Sequence, residues 1–222
     1  MSENAVTGGG GQDWARWHEY YDDPASGLSQ RLNLVQGQLG LAISAAPAGP
    51  VSLLSLCAGQ GRDVLGVLPD HPRRDDVAAV LVELDPANAA SARDRAGQAG
   101  LASVEVRTAD AGQAANYADA FPADVLLLCG IFGNVSATDI HRTVRAAAAM
   151  CKEGGTVLWT RHRGAPDFTG QIRAWFAEAG FAELAFEAPP EHVYISLGAN
   201  RLDRAGPEAR VPAGRLFTFR AG

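Results

Sequence analysis

A strand that runs straight into a Gly-x-Gly turn constrains this chain most. The segment Val51-Ser-Leu-Leu-Ser-Leu-Cys-Ala-Gly-Gln-Gly-Arg-Asp63 reads as an apolar strand, a turn at Gly59 and Gly61, and the start of a helix. A second apolar run, Val77-Ala-Ala-Val-Leu-Val-Glu83, ends in a carboxylate 22 residues after Gly61. Glycine has no Cβ and tolerates unusual φ/ψ, so the first turn lets a ligand approach the backbone closely. An acid at the end of the second strand stands where it can grip two ribose hydroxyls. Strand, turn, helix, strand and terminal acid together describe a site for a nucleoside-bearing cofactor.

The rest of the chain extends the same alternation. Strands are expected at 51–57, 79–84, 104–108, 125–129, 156–160 and 181–186, and the alternating run Arg215-Leu-Phe-Thr-Phe-Arg220 is expected to close the chain as a strand. Helical patterns fill 62–68, 86–99, 138–151 and 168–179, with a shorter piece near 114–120. Leu28, Leu32, Val35 and Leu39 recur at helical spacing and predict a helix over 26–45, ended by Ala46-Pro-Ala-Gly-Pro50. Alternating strands and helices imply parallel strands with right-handed crossovers. Residues 1–12, polar and rich in glycine, are expected to be a flexible terminus, 13–50 an aromatic and helical cap, and 51–222 the main domain.

Composition narrows the function classes. The 222 residues suit one sizeable domain, and 47% hydrophobic with 20% charged residues is ordinary for a folded protein. A net charge of −6 argues against nucleic acid as the main partner, because phosphate binding rests on clustered Lys and Arg. Lys152 is the single lysine, and the arginines gather only at Arg161/Arg163 and near the C-terminus, which leaves room for a local pocket for an acidic small substrate. No apolar run reaches the roughly 20 residues that span a bilayer, and the basic-then-apolar order of a secretion signal is missing. A cytoplasmic protein without a membrane segment is expected. Cys57, Cys129 and Cys151 have no zinc-ligand spacing, so no metal site is expected and the thiols read as small buried hydrophobes.

Two cofactor classes fit the strand–turn–helix–strand–acid pattern: a dinucleotide and S-adenosylmethionine. A dinucleotide turn reads Gly-x-Gly-x-x-Gly, whereas Gly59-Gln-Gly-Arg-Asp-Val64 lacks the third glycine. S-adenosylmethionine carries no phosphate and needs only a close turn and an acid for the ribose. Over 51–160 the chain resembles the class I S-adenosylmethionine-dependent methyltransferases. Leu56-Cys-Ala-Gly-Gln-Gly61 resembles the family's glycine-rich motif, Glu83 its ribose-binding acid, and Asp110 the acid near the adenine amino group. Ala123-Asp-Val-Leu-Leu-Leu-Cys-Gly130 with Ile-Phe-Gly-Asn-Val135 resembles the strand and loop beside the reacting methyl, and Lys152-Glu-Gly-Gly-Thr-Val-Leu158 the turn into the fifth strand. Ser55 and Cys57 stand where the family has an acid and a glycine, and Asp63 or a backbone carbonyl is left to meet the methionine ammonium.

The resemblance implies a three-layer α/β/α sandwich around a seven-stranded, mostly parallel sheet of order 3-2-1-4-5-7-6, with the last strand antiparallel. It implies a cofactor site formed by Cys57, Ala58, Gly59, Gly61, Asp63, Glu83, Leu84, Asp110, Ala111, Cys129, Gly130 and Phe132. In that order the first and fourth strands are neighbours, so Cys57 and Cys129 are expected as a close pair explained by packing.

The acceptor side is less constrained. Gly130-Ile-Phe-Gly-Asn134 stands in place of the Asp/Asn-Pro-Pro-aromatic signature of DNA-amino methyltransferases, which favours a small molecule or a peptide as acceptor over the exocyclic amine of a base. Trp14, Trp17, Tyr20 and Tyr21 fit either a lid over a sulfonium or a helix packed on the sheet. Phe132 fits either adenine contact or core packing. Substrate candidates are Trp17, Tyr20, Tyr21, Arg161, His162, Tyr194 and Asn200. Among histidines, His162, His192 and His18 are candidate bases and His141 reads as surface. Catalytic candidates are His162, Tyr21 and Asn134. The expected activity is methyl transfer to a small molecule; the rivals are a cofactor-binding protein of the same fold without methyl transfer, and an NAD(P)-dependent oxidoreductase. The sequence carries no signal of oligomeric state.

Overall fold

A computed structural model describes residues 23, 26–190 and 192–220. The expected terminus over 1–12 and the cluster Trp14, Trp17, His18, Tyr20 and Tyr21 lie outside the described residues. Seven strands form one sheet of order β3-β2-β1-β4-β5-β7-β6. They are β1 (Val51–Leu56), β2 (Val77–Glu83), β3 (Val104–Thr108), β4 (Ala123–Leu128), β5 (Cys151–Thr160), β6 (Phe181–Glu187) and β7 (Leu197–Leu202). The first five run parallel, and β7 pairs antiparallel with both β5 and β6. β4 is buried at all six positions, as expected of a central parallel strand covered on both faces.

Among the described residues five α-helices cover the sheet: α1 (Gly27–Ala45), α2 (Arg62–Leu65), α3 (Pro86–Gln98), α4 (Ala137–Met150) and α5 (Thr169–Glu178). Their boundaries follow capping chemistry. The Ser26 hydroxyl accepts from the Ser29 amide, Asp85 accepts from Ala87 and Asn88 ahead of Pro86, and Ser136 accepts from Asp139. Val35, Leu39 and Ile43 of α1 pack with Val64 and Leu65 of α2 and Ala89 and Ala92 of α3 on one face of the sheet. Val144 of α4 and Ile172 and Phe176 of α5 pack on the other face, with Trp159, Leu216 and Phe217. The result is the three-layer sandwich.

The C-terminal expectation needs correction. Residues 215–220 form no strand apart from one isolated bridge between Gln113 and Arg215. The seventh strand is Leu197–Leu202, which already occupies the slot between β5 and β6. The 215–220 segment is instead a strap across the carboxyl ends of the strands. Consecutive Leu216 and Phe217 are both buried, breaking the two-residue period of a one-sided strand. The strap is tied by the Leu216 amide to Gly112 O (2.8 Å) and the Arg220 amide to Asn134 O (2.9 Å).

Candidate active site

The glycine turn and the β2 acid form a single unit. Glu83 is 9% exposed, and its carboxylate accepts the Gly59 amide at 2.7 Å and the Asp85 amide at 2.8 Å. Burial pushes the Glu83 pKa up, and the amides of Asp85 and Gly59 offset only part of that. The Ala58 amide bonds to Val82 O (3.0 Å) and the Gly61 amide to Ala58 O (2.8 Å), which closes the loop. Gly61 sits at φ 69°, where a Cβ would lie 2.8 Å from Leu65 Cδ1 and 2.9 Å from Leu81 Cδ2. Cys57 holds φ 56°, a left-handed conformation that a side chain disfavours and that marks a functional site elsewhere. Leu84, next to Glu83, is 66% exposed, a large apolar side chain left uncovered beside the turn.

The cysteine expectation is revised. Cys57 and Cys129 do follow adjacent strands β1 and β4. However, Cys57 packs against one core cluster and Cys129 belongs to the other. The left-handed turn at Cys57 breaks the alternation that would have put both thiols on one face. All three cysteines are free, and burial raises each thiol, Cys151 to about 12. Asp63 is half-buried; burial raises its carboxyl, against the opposing charge of Arg31 on α1. Asp63 also raises the Cys129 thiol and Arg31 lowers it, so the three lie within electrostatic reach of one another near the ends of β1 and β4.

Asp110 follows β3. Its Oδ1 accepts the Gly112 amide (2.8 Å), and its Oδ2 accepts Arg215 Nη2 from the strap and Gln113 Nε2 (3.4 Å). Burial alone would raise this carboxyl, but the Gly112 amide and the Arg215 guanidinium outweigh it and hold it low. Ala111 is buried. Gly130, at φ 76° after β4, donates to Thr160 Oγ1 (2.9 Å), and its carbonyl accepts Asn134 Nδ2 (2.8 Å). Asn134 therefore braces the loop. A Cβ at Gly130 would meet nothing within 4 Å, so space lies open over that turn.

Several acceptor-side candidates are relocated. Phe132 is fully buried, packed on Trp159 (6.1 Å) and Phe176 (6.5 Å), so it is core and not a wall of the crevice. Asn200 lies inside β7 opposite Val157, three residues from the rim, and accepts from Trp159 Nε1 at 2.8 Å; it does not line a pocket. Tyr194 is 72% exposed. Arg163 donates to His192 O (2.8 Å) and Pro189 O and so ties these two residues to the end of β5. His141 packs on Trp175 between α4 and α5, with ring centres 4.8 Å apart and the planes tilted by 35°. His162 packs against Gly133, and its Nδ1 is buried without a hydrogen-bond partner. Burial and the neighbouring Arg161 charge hold His162 below the usual histidine range, which keeps it neutral.

The sequence reading missed Arg215, Arg31 and Thr160. Only the charge concentration near the C-terminus hinted at the first, and a lone arginine on an apolar helix at the second. Among the described residues no His, Cys, Asp and Glu cluster is arranged to hold a metal ion, and no helix is long and apolar enough to cross a membrane.

No protein-family model matches the sequence, and neither does any curated protein. Solved structures match by shape. An O-methyltransferase family protein from Burkholderia thailandensis is 19% identical with TM-score 0.64, over 88% of this chain and 61% of that one. This chain thus spans less than two thirds of that protein's length. Magnesium protoporphyrin IX methyltransferase from Synechocystis PCC 6803, solved with bound S-adenosylmethionine, is 12% identical with TM-score 0.66, over 88% and 92%. An RNA methyltransferase from Salinibacter ruber, in complex with S-adenosylhomocysteine, is 18% identical with TM-score 0.51, over 81% and 97%. With its strand order and antiparallel seventh strand, the chain has the Rossmann-like class I methyltransferase fold.

Proposed function

We propose that this protein binds S-adenosylmethionine and transfers its methyl group to a small molecule. The Glu83 carboxylate, hydrogen-bonded to the Gly59 amide, carries the reading: it fuses two sequence-distant motifs into one cradle at the carboxyl ends of β1 and β2. The donor set fits the cofactor. Glu83 takes the ribose hydroxyls, exposed Leu84 one face of the adenine, and Asp110 the adenine amino group, while Asp63 meets the methionine ammonium. Open space over Gly130 leaves room for the reacting methyl. A dinucleotide fits less well, since buried Val64 stands where a third glycine would be needed.

The cofactor supplies an electrophilic methyl on a sulfonium. The acceptor's lone pair forms the new bond to carbon as the sulfur–carbon bond breaks, and the electron pair stays on sulfur. The protein's part is alignment and exclusion of water. His162, beside the loop after β4, is the base in this reading, taking a proton from an acceptor hydroxyl; its lowered pKa supports a neutral ring. Residues 13–50 form a cap in this reading; the packing of α1 on the sheet beside α2 and the reach of the Arg31 charge to Asp63 support it. A small acceptor agrees with the negative net charge.

Calorimetry tests the cofactor: S-adenosylhomocysteine should bind and NAD should not, and the reverse result overturns the reading. Methyl transfer to a metabolite library, followed by mass spectrometry, separates an enzyme from a binding protein of the same fold.

A further inference from the structure

We propose that the acceptor carries an oxyanion, a carboxylate or a phosphate, held at the carboxyl ends of β4 and β5 by Arg161 and Arg220, beside His162. This rests on the methyltransferase reading for the word acceptor; the anion site itself stands on geometry.

Arg161 follows β5 directly and is 7% exposed. Its guanidinium donates to two neutral carbonyls, Phe132 O and Pro166 O, the second at 3.4 Å, and lies 5.2 Å from the Phe168 ring centre. Its Nε is buried with no hydrogen-bond partner. No carboxylate among the described residues lies within ion-pair distance of it, although Arg107, Arg142, Arg145, Arg173, Arg201 and Arg215 all have one. The nearby acid, Asp167, is committed to the start of α5, where its Oδ1 accepts the Thr169 amide (2.8 Å) and hydroxyl (2.7 Å). A buried charge without a counter-ion is costly, and an incoming anion removes that cost.

Two further bases converge on the same loop. The Arg220 amide donates to Asn134 O (2.9 Å), and no ion pair engages its guanidinium among the described residues. The His162 ring lies 3.3 Å from where a Cβ on Gly133 would stand. The Arg161 guanidinium on Phe132, the His162 ring against Gly133 and the Arg220 backbone on Asn134 therefore meet three consecutive residues of the loop that follows Gly130. Burial lowers the Arg161 pKa first and the Arg220 charge lowers it further, against the opposing charge of Asp167, so the two arginines lie within electrostatic reach of each other. A guanidinium fork suits a carboxylate or phosphate edge. The weak contact to Pro166 is the one that an oxyanion replaces. In a chain whose acids outnumber its Lys and Arg by 25 to 19, two arginines left unpaired at the substrate end are not explained by scarcity of carboxylates.

The test uses the full chain and follows the His162 ring signal by NMR. Inorganic phosphate and, separately, benzoate are titrated at constant ionic strength set with chloride. A saturable shift with either probe, weakened about tenfold or more in Arg220→Gln and in Arg161→Gln, is expected, given the strength of charge-assisted hydrogen bonds. The tighter probe identifies the anion. No saturable shift, or equal binding by folded Arg220→Gln, overturns the proposal. Arg220 is exposed, so its variant serves if Arg161→Gln fails to fold. S-adenosylhomocysteine binding is measured on the same samples. Its failure overturns the methyltransferase reading alone, and its success without anion binding overturns the anion site alone.

Discussion

Glu83 joins the glycine turn to the β2 strand end, so replacing it perturbs stability and binding together. Glu83→Ala leaves the Gly59 and Asp85 amides, now at 2.7 and 2.8 Å from the carboxylate, without an acceptor. An unsatisfied buried donor costs about 1–3 kcal/mol; both amides are only part-buried, so water offsets some of this and the loss for two is about 2–3 kcal/mol. Glu83→Gln keeps one carbonyl oxygen but turns an NH2 toward the other amide, for a loss of about 1–3 kcal/mol. The charge itself works the other way. Burial raises the Glu83 pKa above its ordinary 4.5, with the amides of Asp85 and Gly59 offsetting only part. Between the unfolded and the raised folded pKa the native state binds more protons, so stability increases as pH falls through that window. Glu83→Gln lacks this segment of the profile. Without the ribose contact, S-adenosylhomocysteine should bind about 1–3 kcal/mol more weakly, about 5- to 150-fold. Urea unfolding across pH reads stability, and calorimetry at neutral pH reads affinity. A Glu83→Ala protein as stable as the parent refutes the locking of the turn. A folded variant with unchanged affinity refutes the ribose contact.

Cys57→Gly should be more stable than Cys57→Ala by about 1 kcal/mol, because only glycine relieves the left-handed φ of 56° and the relief exceeds glycine's entropy cost; thermal unfolding decides, and equal stabilities sink the strain argument. Gly198→Ala would place a Cβ 2.2 Å from Trp159 Cε2, against a ring stacked on Phe176. A loss of about 1–3 kcal/mol and a shifted tryptophan emission are expected, and an unperturbed protein would show that the core yields. His162 is held below its ordinary value of 6.5 by burial and by Arg161. The unfolded chain therefore binds more protons below that value, and stability should drop as pH falls from 6.5 toward the folded pKa. His162→Gln should flatten this part of the profile in urea titrations, and a parallel profile in the variant would contradict the assignment.

Legibility along the chain follows the range of the interactions. The 26–45 and 86–99 helices could be placed closely because Ser26 and Asp85-Pro86 cap them with local hydrogen bonds. The β1 turn and Glu83 were readable because two apolar runs flank them. The last strand was misassigned because Arg215-Leu-Phe-Thr-Phe-Arg220 alternates in composition, while burial of adjacent Leu216 and Phe217 is imposed by the loops beneath them. Phe132 and Asn200 looked like rim residues until the register put one in the aromatic core and the other inside β7.

The sequence by itself determined the α/β class, the glycine turn and the acid behind it. These depend on side-chain period and on backbone freedom within a few residues. Tertiary structure alone decided that Asp110 meets Arg215 from 105 residues away. It also decided that Arg161 and the Arg220 backbone meet at one loop, with no carboxylate among the described residues in ion-pair distance of either guanidinium. Such meetings are set by where the crossovers deliver each strand end, and no local pattern encodes the direction in which a distant side chain arrives.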